Sequence, residues 1–270
     1  MKILMVNKFL HPNGGSETYI FELGSQLEKM GHLVQYFGME HPNRCVGNAI
    51  DSYTKNVDFH GGSILSKLFA HFKIIYSCEA RNKIRKVLDD FEPDVVHLNN
   101  INFQLTPSII YEIRKWERNS EKKCKIVFTA HDFQWLCPNH MFYIPQTGEV
   151  CERCRGGHYW ECVKNSCIHG SKIRSLIGMV EAYYYKIRKT YTLVDTIICP
   201  SQFLYDKFAE NLLLKDKLVV LHNFIKDVPN DSDSKIFQEK TKDNIIDEYE
   251  KYGFLGAKPY VLYFGRYDVQ

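Results

Sequence analysis

The residues in this sequence with chemistry to offer are a set of histidines, amides and glycines, and a run of cysteines. His131-Asp132 follow the apolar stretch Lys125–Thr129. His97-Leu98-Asn99-Asn100 close a second such stretch, and Pro200-Ser201 and His222-Asn223 close two more. An imidazole changes charge near neutral pH, and burial moves that change. Near the start, Asn13-Gly14-Gly15-Ser16-Glu17 join an apolar run to a helical pattern. Gly14 and Gly15 lack Cβ atoms, so backbone N–H groups can come close to a ligand. Ser16 fits a helix N-cap, and the start of a helix favours an anion. The segment suits a diphosphate; a tight turn that binds nothing reads equally well.

The cysteines follow directly on the His-Asp pair. Cys137, Cys151, Cys154, Cys162 and Cys167 make five of the nine, and His140, His158 and His169 lie in or beside the same window. Cys-x2-Cys spacing lets two thiolates reach one tetrahedral ion, and later cysteines complete the set. Gly148, Gly156 and Gly157 supply turns. The expectation is a structural zinc on Cys151, Cys154, Cys162 and Cys167, with Cys137 as the substitute ligand. A redox-active or inert set of thiols, or an iron–sulfur cluster, stays open. Cys45, Cys78, Cys124 and Cys199 read as ordinary buried residues.

The elements that position these groups alternate regularly. Lys2–Asn7, Leu33–Gly38, Val95–Leu98, Lys125–Thr129, Thr196–Cys199 and Leu218–Leu221 read as short buried strands. Tyr19 to Met30, Ile64–Leu88 and Thr106–Trp116 carry helical spacing. Strand–helix alternation predicts an α/β fold, a doubly wound, Rossmann-like parallel sheet covered on both faces. Ligands of such sheets sit beyond the carboxyl ends of the strands, where the polar residues above fall.

The chain has 270 residues, 44% of them hydrophobic and 25% charged, which suffices for a large core. A net charge of +3 is too small to imply nucleic acid, and the aromatics do not interleave with charge as a stacking platform would. No run reaches the ~18 apolar residues of a membrane span, and the N-terminus lacks a signal-peptide pattern. A cytoplasmic protein is expected, with thiols or metal rather than disulfides. From Lys226 the composition turns to Lys, Asp and Glu, which reads as a charged linker or helix over 226–258. Tyr260-Val261-Leu262-Tyr263-Phe264 then reads as a new strand followed by Gly265-Arg266, and the sequence ends four residues later at Gln270. We read 1–225 as one domain with a Cys-rich insert at 133–170, and 259–270 as the first strand of a second, truncated one.

The ordered series NGGSE, DVVHLNN, FTAHDF, CPSQF, LHNFI and YFGR resembles the GT-B glycosyltransferases of family 4, from Met1 to Arg266. The resemblance implies the N-terminal, acceptor-side half of a retaining, hexosyl-transferring enzyme that uses a nucleotide sugar, without catalytic metal. By position, Gly14, Gly15 and Arg266 would meet the donor diphosphate. His131 would contact the transferred sugar and stabilise its developing positive charge, and Asp132 would orient it or the acceptor. His97, Asn99 and Asn100 would lie on the acceptor side, where the insert would overhang the cleft, while Ser201 and Asn223 would support the site from behind. The family's lysine after Arg266 and its Glu-x7-Glu element are not in this sequence, so the piece alone is expected to be inactive. The expected setting is cell-surface polysaccharide or glycolipid synthesis on a glycan or lipid-linked acceptor. A sugar-nucleotide epimerase of the same fold, or a zinc-bearing glycan- or partner-binding module without turnover, are the competing readings.

Two segments fit a membrane surface. Lys172 to Tyr191 carries five basic residues and one acid, with Leu176, Ile177, Val180, Tyr184 and Ile187 on one helical face. Leu65 to Leu88 has a similar mixture. Both fit peripheral contact with an anionic membrane, or helices that simply cover the sheet.

Overall fold

All six apolar runs are strands of one sheet. The computed structural model describes residues 1–55 and 75–224, and Met1–Asn223 make up one compact unit. The helical part of 64–74, the linker at 226–258, the last strand at 259–270 and Arg266 lie outside the described residues. The strands are β1 (Lys2–Val6), β2 (Leu33–Phe37), β3 (Val95–Leu98), β4 (Lys125–Thr129), β7 (Thr196–Cys199) and β8 (Leu218–Val220). They pair in parallel in the order β2-β1-β3-β4-β7-β8. A short hairpin, β5 (Tyr143–Ile144) with β6 (Glu149–Val150), stands apart from them.

Alternation along β1 shows why both faces must be covered. Leu4 and Val6 enter one core, with Ile84, Leu88, Ile109, Ile113 and Trp116; Ile3 and Met5 enter another, with Leu10, Tyr36 and Tyr53. The first core is roofed by α2 (Cys78–Phe91) and α3 (Ile109–Asn119). The second is flanked by α1 (Gly15–Lys29), through Phe21, Leu23 and Leu27. Parallel strands buried on both sides have no polar face, which is why they read as unbroken apolar runs. The strand limits match the sequence reading to within a residue. The helices shift further: α2 starts at Cys78, where Ser77 accepts a hydrogen bond from Ala80 N as its N-cap. Cys124 and Cys199 are buried as expected, but Cys45 and Cys78 are exposed, Cys78 because it opens α2 next to its cap.

The register at the site end of β1 depends on close backbone approach. A Cβ on Gly38 would stand 2.3 Å from the carbonyl oxygen of Asn7 and 2.8 Å from Leu10 Cγ. Backbone cannot swing aside as a side-chain tip can. Gly38→Ala is therefore expected to cost roughly 1–3 kcal/mol, read as a lower urea midpoint; an unchanged midpoint would show that the strand ends separate freely.

After β4 the insert forms a core of its own. Phe142, Ile144, Tyr159 and four cysteines are buried together around α4 (Trp160–Lys164) and the first of the longer helices that follow, α5 (Lys172–Ile187). The helix α6 (Gln202–Ala209) is capped by Ser201, whose hydroxyl accepts from Leu204 N at 3.2 Å. That settles Ser201 in a structural role. Asn223 is exposed at the end of the unit.

Candidate functional site

The carboxyl ends of β1, β3 and β4 converge on α1. Asn7 donates from Nδ2 to Glu17 Oε1 at 2.8 Å and accepts at Oδ1 from Asn100 N at 3.1 Å. Asn100 Nδ2 in turn donates to Ser16 Oγ at 2.7 Å, and Ser16 donates to Glu17 Oε1 at 2.9 Å. This network ties the first turn of α1 to two strand ends. It also corrects the role expected for Ser16: the N-cap is Gly14, with no side-chain cap bond, and Ser16 lies inside the helix. The helix start therefore keeps backbone donors that no side chain takes up.

Neither glycine of the turn is demanded by the backbone. Gly14 is extended at φ −169°, and a Cβ on Gly15 would meet nothing within 4 Å. Gly15 borders open space.

His131 meets α1 at Tyr19, whose ring lies edge-on to the imidazole at 5.1 Å. Nε2 of His131 is 2.9 Å from Asn99 Oδ1. Asn99 spends its own Nδ2 on the carbonyls of Val6 and His97. Its Oδ1 is thus the acceptor, and Nε2 of His131 must carry the proton. Nδ1 is left as a lone pair. It has no partner among the described residues and is not one of the buried orphan atoms. Burial pushes the His131 pKa down to about 4, so the imidazole is neutral at physiological pH.

Of the three residues expected on the acceptor side, His97 and Asn99 are buried and Asn100 is half-buried, and each bonds within the protein. His97 is 6% exposed, and its Nε2 lies 2.8 Å from Thr129 Oγ1. Asn99 is 1% exposed and holds His131; Asn100 holds Ser16. Burial, and then the nearness of His131, lower the His97 pKa to about 4. The folded state therefore resists a proton that the unfolded chain takes up near pH 6.5. Stability is full above that pH and falls as pH drops towards 4, by on the order of 3 kcal/mol for His97 alone. His131 and His140 shift in the same direction. Urea midpoints at pH 7.5 and pH 5 should differ clearly, and less in His97→Gln; equal pH dependence in the two proteins would refute the assignment.

Asp132 turns partly away from His131. Its Oδ1 accepts from Gln134 N at 2.8 Å, and its Oδ2 lies 3.8 Å from Nδ1 of His140, in the insert. His140 is held low mainly by burial, opposed by Asp132. Two residues at this edge escaped the sequence reading as site residues, Tyr19 and Lys8. Tyr19 looked like one more apolar position of α1. Lys8 could have been noticed as the first charged residue beyond β1.

The cysteine expectation needs correction. The thiols that meet are Cys137, Cys154, Cys162 and Cys167, all buried, whereas Cys151 is half-buried at the margin. They lie as two contacting pairs. Contact with Cys154, aided by the N–H groups of Asn139, His140 and Phe142, lowers the Cys137 pKa to about 7, and Cys154 is raised in return. Cys162 and Cys167 divide in the same way, Cys167 lowered and Cys162 raised. Among the described residues no group of three or more His, Cys, Asp or Glu is arranged to hold a metal ion, so structural zinc finds no support. The cysteines act as core: a hairpin and one short helix bring few other apolar side chains inward.

The model of Glycosyltransferase Family 4 matches residues 13–227. A Klebsiella pneumoniae protein described as an uncharacterized 42.6 kDa protein in cps region is 23% identical over 231 residues, covering 78% of this chain and 59% of its own length. Among solved structures, sucrose-phosphate synthase from Thermosynechococcus elongatus aligns with 82% of this chain and 47% of its own, at 11% identity and TM-score 0.41. The catalytic domain of starch synthase IV from Arabidopsis thaliana aligns with 83% and 51%, at 12% identity and TM-score 0.44. The chain thus spans about half to three fifths of the length of these relatives.

Proposed function

The chain belongs to glycosyltransferase family 4, and we propose that it is the acceptor-side half of a retaining enzyme that transfers a sugar from a nucleotide-sugar donor. The acceptor is a glycan or lipid-linked glycan of cell-surface polysaccharide or glycolipid synthesis, a setting consistent with a relative described as lying in a cps region. The chain covers only part of that relative's length, so the reaction is proposed for the whole protein.

The observation that supports this reading is the neutral His131, fixed by Asn99 and in edge-on contact with Tyr19 of α1, the helix that starts at Gly15. Free N–H groups at Gly14, Gly15 and the start of α1 would take the donor diphosphate, where the helix dipole also favours negative charge. Nδ1 of His131 would accept a hydroxyl of the transferred sugar or face the positive charge that grows at its anomeric carbon. A neutral lone pair can do either, whereas an imidazolium would oppose the second. Arg266 would pair with the diphosphate from the other side. Asp132 would act on the acceptor through His140 rather than on His131 directly. The test is a panel of nucleotide sugars with the full-length protein, with the product's anomeric configuration read by NMR. Turnover of one donor with retention is expected. Inversion would remove the mechanism, and absence of both transfer and donor hydrolysis would remove the enzyme.

Work at the cytoplasmic face of a membrane completes the proposal. Ile173, Leu176, Val180 and Ile187 of α5 are exposed, with Lys172, Arg174, Lys186 and Arg188 beside them, while Ser175, Gly178 and Tyr185 face inward. A basic helix with an exposed apolar side suits an anionic bilayer. The protein should co-sediment with anionic vesicles at low salt, and Ile173→Glu with Ile187→Glu should abolish it; equal sedimentation of the two would exclude α5 as the contact.

A further inference from the structure

Lys8 stands where the sheet ends, with its backbone pinned on both sides. Its N–H donates to Asn100 O at 2.9 Å, and its carbonyl accepts from Met39 N at 3.0 Å. The side chain therefore starts from a fixed point at the end of β1. Nζ lies 4.6 Å from the Phe9 ring centroid and 4.4 Å from that of Phe103. Phe103 is held in the left-handed region at φ +53°, and its ring is 6.5 Å from that of His140. The ammonium is thus braced by two aromatic faces at the rim shared by the loop after β3 and the insert.

What the ammonium lacks among the described residues is a bonded anion. Among the described residues it makes no hydrogen bond and no salt bridge. Burial lowers its pKa to about 8, which the charge of Glu17 only partly offsets. The Glu17 carboxylate is already engaged by Asn7 and Ser16. Aromatic faces stabilise a cation only modestly and do not replace a counter-ion. On the same loop as Phe103, Asn102 Oδ1 is buried without a partner. A second unmet polar group so close in sequence is what a ligand carrying hydroxyls would satisfy. Phe103 itself remains 39% exposed, an apolar face open beside the charge.

We propose that Lys8 is the anion-binding residue of the acceptor subsite, taking a phosphate or carboxylate oxygen of the acceptor while Phe103 covers the adjoining sugar or apolar face. The proposal rests on the transferase reading, which makes this rim the acceptor side. It narrows the acceptor to anionic molecules, with the charge borne either by a lipid-linked phosphate or by an acidic sugar.

The test titrates full-length wild type, Lys8→Gln and Lys8→Arg with farnesyl diphosphate, farnesol, methyl glucuronoside, methyl glucoside and UDP. Lys8→Gln should weaken one of the two anionic acceptor probes at least about tenfold, the expected loss for a hydrogen bond to a charged group. Its affinity for the uncharged probes and UDP should hold to within about twofold, and Lys8→Arg should recover most of the loss. A loss on farnesyl diphosphate alone identifies a lipid phosphate, and a loss on the glucuronoside alone an acidic glycan. Unchanged affinity for both anions, or an equal loss for UDP, overturns the assignment. Thermal unfolding of each variant shows whether the probes met a folded protein. If wild type binds an anionic probe through Lys8 but not UDP, the transferase reading fails while the anion site stands.

Discussion

His131→Ala is expected to lower kcat/KM of the full-length enzyme by about a hundredfold or more, the usual scale for removing one preorganised polar group from a reacting centre. The substitution also leaves Asn99 Oδ1 without its donor, at a cost of about 1–3 kcal/mol, so the melting temperature should fall only modestly. The two effects separate in Asn99→Ala. There the imidazole remains but neither its tautomer nor its ring orientation is fixed, and kcat should drop by about tenfold with little change in donor affinity. The pH profile supplies a third readout. Burial keeps His131 neutral above a pKa of about 4, so kcat/KM should show no inflection from this group between pH 6 and 8. An inflection near pH 6.5 that vanishes in His131→Ala would mean that the charged form does the work.

Gly15→Ala should separate folding from binding in the opposite way. A Cβ at this position meets nothing, and alanine is the better helix former by about 1 kcal/mol. The variant should therefore be at least as stable as wild type. Yet on the proposed donor site the methyl would stand in the path of the diphosphate to the amides, and donor affinity should fall by about tenfold or more, a loss of at least ~1.4 kcal/mol. Titration with UDP alongside thermal unfolding decides it. Unchanged UDP affinity would reduce the turn to a connector.

Strand positions were legible because of burial on both faces. Leu4 and Val6 pack on one side of the sheet and Ile3 and Met5 on the other, so the run cannot afford a polar residue and stands out against its flanks. The rule that ligands gather at strand ends then pointed to His131 without any knowledge of its neighbours. Helix starts were less legible, since α2 begins where Ser77 caps it and not where the apolar spacing first appears. Ser16 misled for the same reason: its type fits a cap, but its hydroxyl is taken by Glu17 and Asn100.

What the sequence determined by itself was the alternation of elements, the polar residues gathered at one edge of the sheet, and the family. These follow from local patterns: period, apolar runs, and glycine at a turn. Only the tertiary structure decided that His97 and Asn99 are buried while Asn100 ties Ser16 to the sheet end, that Cys137 and not Cys151 joins the buried thiols, and that Lys8 makes no ion pair among the described residues. Each of those depends on contacts between residues far apart in the chain, such as Asn99 with His131 or Lys8 with Phe103. A residue's type states which bonds it can make; whether it spends them within the protein or keeps them for a ligand is set by the company the fold brings to it.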